Sequence, residues 1–384
     1  MTEIFRFDPL TLPPEYEALR REVRGFIAEE KAAGRWKGQG DFASSHSPEF
    51  SRRLGARGWI GMTWPKKYGG QERSFLERYV VTEELLAASA PVGAHWVADR
   101  QSGPLILRFG NETQRTEILP RITRGECFFC IGMSEPDSGS DLASIRTKAV
   151  PVEGGWELSG RKIWTSYAHK AHFMICLCRT EPPDAKDRHK GLSQLIVDLK
   201  SPGISIRPIK NLAGAEHFNE VLFENVFIPG DRMIGQPGDG WKQVTSELGY
   251  ERSGPERFLS SFRLMVEFVR RAGADPDPRE AEAIGRVLAH LATLRRMSLS
   301  VAGMLQQGEM VNLEAAVVKD LGTNLEKEIP EIIRLVARRG RSPNNADLLE
   351  EALAYGVLNA PSFTIRGGTR EILRGIVARG LGLR

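Results

Sequence analysis

Nowhere along the 384 residues do Lys and Arg gather into a block, although they outnumber Asp and Glu by 53 to 49. A net charge of +4 spread this way argues against nucleic acid as a partner and is compatible with a phosphate-bearing ligand. Long apolar runs are missing too. No stretch approaches the roughly 20 apolar residues needed to cross a bilayer, and no apolar segment follows a basic one at the start. The expectation is a soluble, cytoplasmic protein with no transmembrane segment. Cysteine is scarce, with only Cys127, Cys130, Cys176 and Cys178. Cys127 and Cys130 have the spacing of half a metal site. In an extended strand, however, residues three apart point to opposite faces and cannot share an ion, so buried reduced thiols and no metal are expected. Internal repeats are absent as well.

What the chain does contain is core material: 41% of its residues are hydrophobic, enough at this length for two or three packed units. Over residues 1–125 the pattern is helical. Leu19, Val23, Phe26 and Ile27 predict an amphipathic helix over 15–32. Ser47 before Pro48 predicts a capped helix with proline in its first turn, closed by Gly58. With three aromatics, one Pro and four Gly, 58–70 reads as an irregular but ordered connector. Ser74 opens a helix over 75–90, and Asn111 with Gln114 makes a capping-box start to one ending near Arg124.

From residue 126 the period switches to two, and strands are predicted over 145–152, 156–164, 173–178, 195–199, 204–209 and 221–228. The polar run 179–190 reads as a mobile surface loop. Pro229 and a Gly-rich stretch close this second domain at 236. Helical periodicity then resumes over 237–384, with helices predicted over 280–305 behind Pro278, 313–337 with a kink at Pro330, 346–355 and 369–378. The fold class is α+β multidomain: an N-terminal helical domain, a central β-barrel-like domain and a C-terminal helical bundle.

Two stretches carry chemistry. Cys127 to Met133 reads as an apolar strand. The residues after it, Ser134-Glu135-Pro136-Asp137-Ser138-Gly139-Ser140-Asp141, pack hydroxyls, carboxylates, Pro and Gly into a turn that a plain connector would not need. Such a turn presents hydroxyls and backbone N–H groups, which suit ring carbonyls and phosphates. Further on, Gly160-Arg161-Lys162-Ile163-Trp164-Thr165-Ser166 sets a large aromatic beside two hydroxyls. Together, Ser-Glu-Pro-x-x-Gly-Ser-Asp and Gly-x-Lys-x-Trp-Thr-Ser resemble the acyl-CoA dehydrogenase family, in which these segments hold the flavin ring of FAD. The resemblance implies FAD as cofactor, with Ile131, Met133, Ser134, Gly139, Ser140, Trp164, Thr165, Ser166, Gly368 and Thr369 around it. It places Ser134 and Ser166 at the carbonyl and N5 edge, Trp164 over one face, and Ser140 toward the phosphates and the acyl-CoA. Better-known relatives carry Thr at 134 and 166, and Ser keeps the hydroxyl.

The implied reaction is α,β-dehydrogenation of an acyl-CoA thioester, in which a base takes the α-proton while hydride leaves the β-carbon for flavin N5. The usual base is a carboxylate held where desolvation raises its proton affinity. In much of the family it precedes Gly-Thr near the C-terminus, but here Gly367 occupies that position in Ile365-Arg366-Gly367-Gly368-Thr369. Other branches place a Glu before an Arg on the first long helix of the bundle, and Tyr250-Glu251-Arg252 matches. Pro255 has no N–H for the Glu251 carbonyl, so that helix is expected to bend there. The resulting assignment makes Glu251 the base and puts Ser140, Tyr250, Arg252 and Gly367 on the substrate, with the Gly367 N–H donating to the thioester oxygen.

Electrons would pass to an electron-transfer flavoprotein, within fatty acid or lipid metabolism of the β-oxidation type. Alternatives are a flavin oxidase or monooxygenase on the same fold, and the partner subunit of a two-chain dehydrogenase. Many relatives hold the FAD pyrophosphate and adenine from a neighbouring subunit with Arg-x-x-Phe-Gly and Gly-Gly-x-Gly segments, and neither is present. Arg295-Arg296 and Asn344-Asn345 lie in the comparable parts of the chain without matching. A homo-oligomer, dimer or tetramer, or a hetero-oligomer with a related chain is expected. A base on the earlier helix occurs in relatives that take long, branched or ring-bearing acyl groups, which points to a bulky acyl chain.

Overall fold

The computed structural model describes residues 5–36, 45–184, 186–337 and 346–383, without the side chains of 247–251 and 346–347. Asn344-Asn345 therefore lie outside the described residues.

The chain opens with α1 (Glu15–Ala32) and α2 (Pro48–Ala56), the latter capped by the Ser47 side chain on the Phe50 N–H with Pro48 in its first turn. Helix α3 (Phe75–Ala87) begins with a capping box between Ser74 and Glu77. Next come α4 (Gly93–Val97) and α5 (Gly103–Phe109), joined through a π-helical turn, Ala98–Ser102. Helix α6 (Glu112–Thr123) starts with the Asn111 and Gln114 capping box. These starts form where the sequence places them because each is decided within four residues.

Eight strands follow: β1 (Phe129–Gly132), β2 (Lys148–Val152), β3 (Gly155–Ser166), β4 (Phe173–Arg179), β5 (Leu192–Asp198), β6 (Ile204–Ile209), β7 (Phe218–Pro229) and β8 (Met233–Ile234). They form one sheet in the order β6-β7-β3-β2-β4-β5-β8, with β1 added parallel to β4. The sheet curls on itself, since Leu158, Val221 and Phe223 of β3 and β7 share one buried cluster with Cys176, Cys178, Leu195 and Val197 of β4 and β5.

All four cysteines are free and buried. Burial raises their thiol pKa values, to about 12 for Cys127 and about 11 for Cys176, so they stay protonated and inert. The connector 179–190, expected to be mobile, is tethered instead. Arg179 is buried at the end of β4, and its guanidinium donates to the carbonyls of Ala143, Ile145, Arg188 and Lys190.

Helices complete the chain: α7 (Gly240–Glu251), α8 (Phe262–Ala272), α9 (Pro278–Gln306), α10 (Asn312–Val336), α11 (Ala346–Phe363) and α12 (Arg370–Gly380). Two expectations need correction here. Helix α7 does not bend at Pro255 but stops at Glu251, and Pro255 opens a separate 3-10 turn, Pro255–Arg257. Helix α11 runs eight residues beyond the predicted end at Tyr355, to Phe363.

The chain divides into two compact units that do not follow its order. One gathers α1, α3 and α8 to α12, and the other gathers α2, α4 to α6 and the whole sheet. In the first unit Phe258, Leu264 and Phe268 pack with Val287 and Leu291 of α9 and with Leu325, Ile329 and Ile333 of α10. A buried ionic group ties α1, α3 and α9 together: Arg20 contacts Glu83 and Glu84, and Arg295 donates to Glu83 at 2.6 Å. Among the described residues, no helix is long and apolar enough to cross a membrane.

Candidate functional site

In the sheet unit, β1 runs directly into the Ser134 turn. Glu135 N–H donates to the Ser138 carbonyl at 2.7 Å and Ser138 N–H returns to the Glu135 carbonyl at 3.0 Å, which leaves Pro136-Asp137 as a two-residue tip. Ser138 Oγ closes the far side on the Asp141 carbonyl at 2.6 Å. The Glu135 carboxylate points inward. It accepts from the N–H groups of Arg146 at 2.7 Å and Thr147 at 3.0 Å, and from Lys162 Nζ at 2.8 Å. Lys162 is fully buried and also donates to the Met133 carbonyl at 3.0 Å. Burial by itself would raise the Glu135 pKa, but the charge and hydrogen bond of Lys162, with the Thr147 and Arg146 donors, outweigh it and hold the carboxyl below its usual range.

This ion pair is the clasp between the two sequence motifs, and Ile163 N–H to the Ser134 carbonyl at 2.9 Å completes it. The sequence reading passed over both residues. The available signal was weak: a lysine two residues before Trp164 on the strand, which must find a buried partner if it faces inward.

Two residues after Lys162 the strand is distorted. The β3–β7 register slips between Lys162 and Thr165, and Trp164 sits there with φ of 59°. A left-handed tryptophan costs roughly 1–2 kcal/mol, and this one is 56% exposed, touching Phe218 edge-on at 6.0 Å. Such a bulge re-aims a side chain outward. Thr165 turns inward instead: its Oγ1 is buried without a partner, and its carbonyl accepts from Asn219. Thr165 can therefore offer a ligand little through its side chain.

Ser134 and Ser166 are half-buried, and neither hydroxyl has a partner among the described residues. Gly139 and Ser140 are exposed. Ile131 pairs with Ile175 in the sheet, and Met133, like Leu142 and Trp241, packs against the buried cluster of Ile145, Leu177, Leu192 and Val244. Two unengaged hydroxyls beside an exposed indole on a strained edge are a donor set that fits a flavin ring.

In the other unit, the C-terminal candidates form a turn. Gly367 and Gly368 both have positive φ, 67° and 97°, and Thr369 occupies the N-cap position of α12 without a side-chain cap hydrogen bond. Arg252 is buried and its Nε donates to the Gly367 carbonyl at 3.3 Å, while Lys319 Nζ donates to the Gly368 carbonyl at 2.7 Å. Arg366 reaches Ser260 Oγ at 2.6 Å and Glu326 at 3.3 Å. The side chains of Glu251 and Tyr250 lie outside the described residues.

Residues 13–126, 130–226 and 238–382 match the acyl-CoA dehydrogenase N-terminal, middle and C-terminal domains. The chain belongs to the acyl-CoA dehydrogenase family. It is 34% identical over 388 residues to acyl-CoA dehydrogenase IpdE1 of Mycobacterium tuberculosis (strain ATCC 25618 / H37Rv), covering 96% of this chain and 98% of that one. It is 33% identical to acyl-CoA dehydrogenase FadE34 of the same organism over 374 residues, 96% of this chain, and spans only about half, 49%, of that protein. Among solved structures, the Tcur3481-Tcur3483 steroid ACAD superposes with a TM-score of 0.84 at 29% identity, over 97% of this chain and 98% of that one. The ChsE4-ChsE5 complex from Mycobacterium tuberculosis gives 0.82 at 30% identity, over 98% and 100%. As a member of this family the protein is an FAD-dependent oxidoreductase of lipid metabolism.

Proposed function

We propose that this acyl-CoA dehydrogenase introduces an α,β double bond into a bulky, ring-bearing acyl-CoA thioester, with Glu251 as the base and an electron-transfer flavoprotein as the acceptor. The observation that carries the assignment is the turn at Gly367. The position before Gly368-Thr369 has no carboxylate, and its two carbonyls are occupied by Arg252 and Lys319. The N–H groups of Gly367 and Gly368 have no partner among the described residues. The turn is thus built to donate hydrogen bonds and not to take a proton. The base must come from elsewhere, and Glu251 immediately precedes the arginine that holds the turn.

Bound FAD supplies the hydride acceptor at N5. In this reading Glu251 takes the α-proton, and the Gly367 N–H donates to the thioester oxygen, where negative charge grows as that proton leaves. Ser134 and Ser166 donate to the carbonyl edge of the ring, Trp164 shields one face, and Ser140 and Tyr250 contact the acyl-CoA. The steroid ACAD among the similar structures supports a ring-bearing acyl group.

Stopped-flow spectroscopy with a ring-bearing acyl-CoA tests the assignment. Glu251→Gln is expected to slow flavin bleaching about a thousandfold, the middle of the range for a general base. Bleaching at the parental rate would move the base to another residue.

A second reading, one subunit of a two-chain enzyme, is favoured by Arg295. This arginine, in the part of the chain where relatives grip the pyrophosphate, is engaged with Glu83 inside its own unit.

A further inference from the structure

Helix α10 carries a stripe that an apolar-face pattern would not predict. Lys319, Thr323 and Glu326 are each fully buried, and with Gly322 they follow the i, i+3, i+4, i+7 spacing of a single helix face. An ammonium and a carboxylate are costly to bury on a helix face unless each is well partnered. Here the partners are largely backbone, drawn from two segments far apart in sequence.

Glu326 accepts from the Ser260 N–H at 2.7 Å, and its own carbonyl accepts from Ser261 Oγ at 2.9 Å. Gly322 lacks a side chain where one could not fit, because the Arg257 carbonyl lies against the position a Cβ would occupy. Thr323 Oγ1 satisfies itself on the Lys319 carbonyl at 2.7 Å. Lys319 Nζ reaches the Gly368 carbonyl at 2.7 Å. One helix face thereby seats both the segment that follows Glu251 and the two-glycine turn.

We propose that Lys319 is a positioning residue for dehydrogenation, its buried ammonium fixing the Gly367–Thr369 turn so that the Gly367 N–H faces the thioester oxygen. This rests on the role given to Gly367 above. Two adjacent glycines with positive φ have no side chains to hold them, and glycine is the residue with most backbone freedom to lose. A trans peptide is a rigid plane, and no cis bond occurs among the described residues, so gripping a carbonyl also sets the N–H of the next residue. Arg252 grips the plane between 367 and 368, and Lys319 grips the plane between 368 and 369. On the other side, Arg366 is anchored on Ser260 and Glu326. The N–H groups set directly are those of Gly368 and Thr369; the Gly367 N–H lies in the plane before them and is restrained between the Arg366 anchor and the gripped planes, and a donor aimed at developing charge is effective only when fixed beforehand.

The test is an infrared measurement on the FAD-loaded protein with a 2-enoyl-CoA carrying carbon-13 at the thioester carbonyl. In the parental protein the carbonyl stretch is expected to fall below its value in free solution. In Lys319→Met most of that shift should vanish, and flavin reduction should slow about tenfold or more while acyl-CoA affinity changes less than about threefold. Lys319→Gln, which keeps a neutral donor, should restore part of both. A folded Lys319→Met protein with parental shift and rate would overturn the proposal. If neither variant folds, Lys319 is a stability residue and the positioning role fails. If the parental protein itself shows no shift while still bleaching its flavin, the Gly367 role fails first, and Lys319 loses its function with it.

Discussion

Glu135 is a carboxylate in a hydroxyl-rich turn whose side chain points inward to Lys162, and its job is to be ionised inside the protein. Its pKa is depressed in the folded state, so the stability it confers is fully present above its unfolded value of about 4.3 and is lost as pH falls through the folded value. Replacing it by Gln leaves Lys162 buried without its counter-charge, a loss of about 3 kcal/mol at neutral pH. The gap in melting temperature between parental and Glu135→Gln proteins should be constant above pH 5 or so and shrink as pH falls below about 4. A gap that does not change with pH would mean the carboxylate is not charged in the fold. Trp164 invites the opposite experiment. Its backbone would be relaxed by glycine, so Trp164→Gly should leave the flavin-free protein within about 1 kcal/mol of the parent, strain relief offsetting the lost Phe218 contact. The same change should release FAD readily, as flavin fluorescence would report. A folded variant that is strongly destabilised yet binds its flavin as tightly as the parent would make Trp164 an ordinary core residue. The turn and the strand that carry Trp164 and the serines could be picked out in sequence because they form compact motifs. The clasp was not, because its two ends are 27 residues apart and each looks like an ordinary surface charge.

At the scale of elements, the helix starts could be read locally, as with Ser47-Pro48, Ser74 and Asn111 with Gln114. The run from Gly93 to Phe109 was not resolved, because its π-helical turn inserts an extra residue and breaks the 3.6-residue period on which the pattern depends. Helix α7 was expected to bend at Pro255, yet ending it at Glu251 serves the chain better. The segment beyond, freed from helical geometry, can lay the Arg257 carbonyl against Gly322 and the Ser260 N–H on Glu326. That close approach predicts the effect of a single methyl group. Gly322→Ala improves helix propensity by about 1 kcal/mol, but the new Cβ meets a backbone carbonyl that no rotamer change can move aside. A net loss of about 1–3 kcal/mol in thermal unfolding is expected, against a gain if the contact yields freely.

Taken whole, the molecule groups α1 and α3 with helices from the far end of the chain, an association that no local pattern announces because it joins charges, and apolar residues such as Leu76 and Leu299, that are distant in sequence. Arg20, Glu83 and Arg295 belong to three separate helices and meet only in the fold. This meeting bears on how FAD is retained. With Arg295 committed to Glu83, and with the Arg-x-x-Phe-Gly and Gly-Gly-x-Gly segments missing, this chain lacks the grip that relatives extend to a neighbour's FAD, so a grip of that kind should come from a related chain that carries those segments. Mass action then separates the possibilities. If a second chain, identical or related, completes the site, diluting the protein at fixed free FAD should release flavin, with fluorescence rising as the assembly dissociates. Adding a complementary chain should reverse the release if the assembly is of two kinds of chain, whereas more of the same chain suffices if it is of one. If each chain holds its flavin alone, occupancy at fixed free FAD will not depend on protein concentration. In that case the FAD pyrophosphate must be held within the single chain, and the two-chain reading falls.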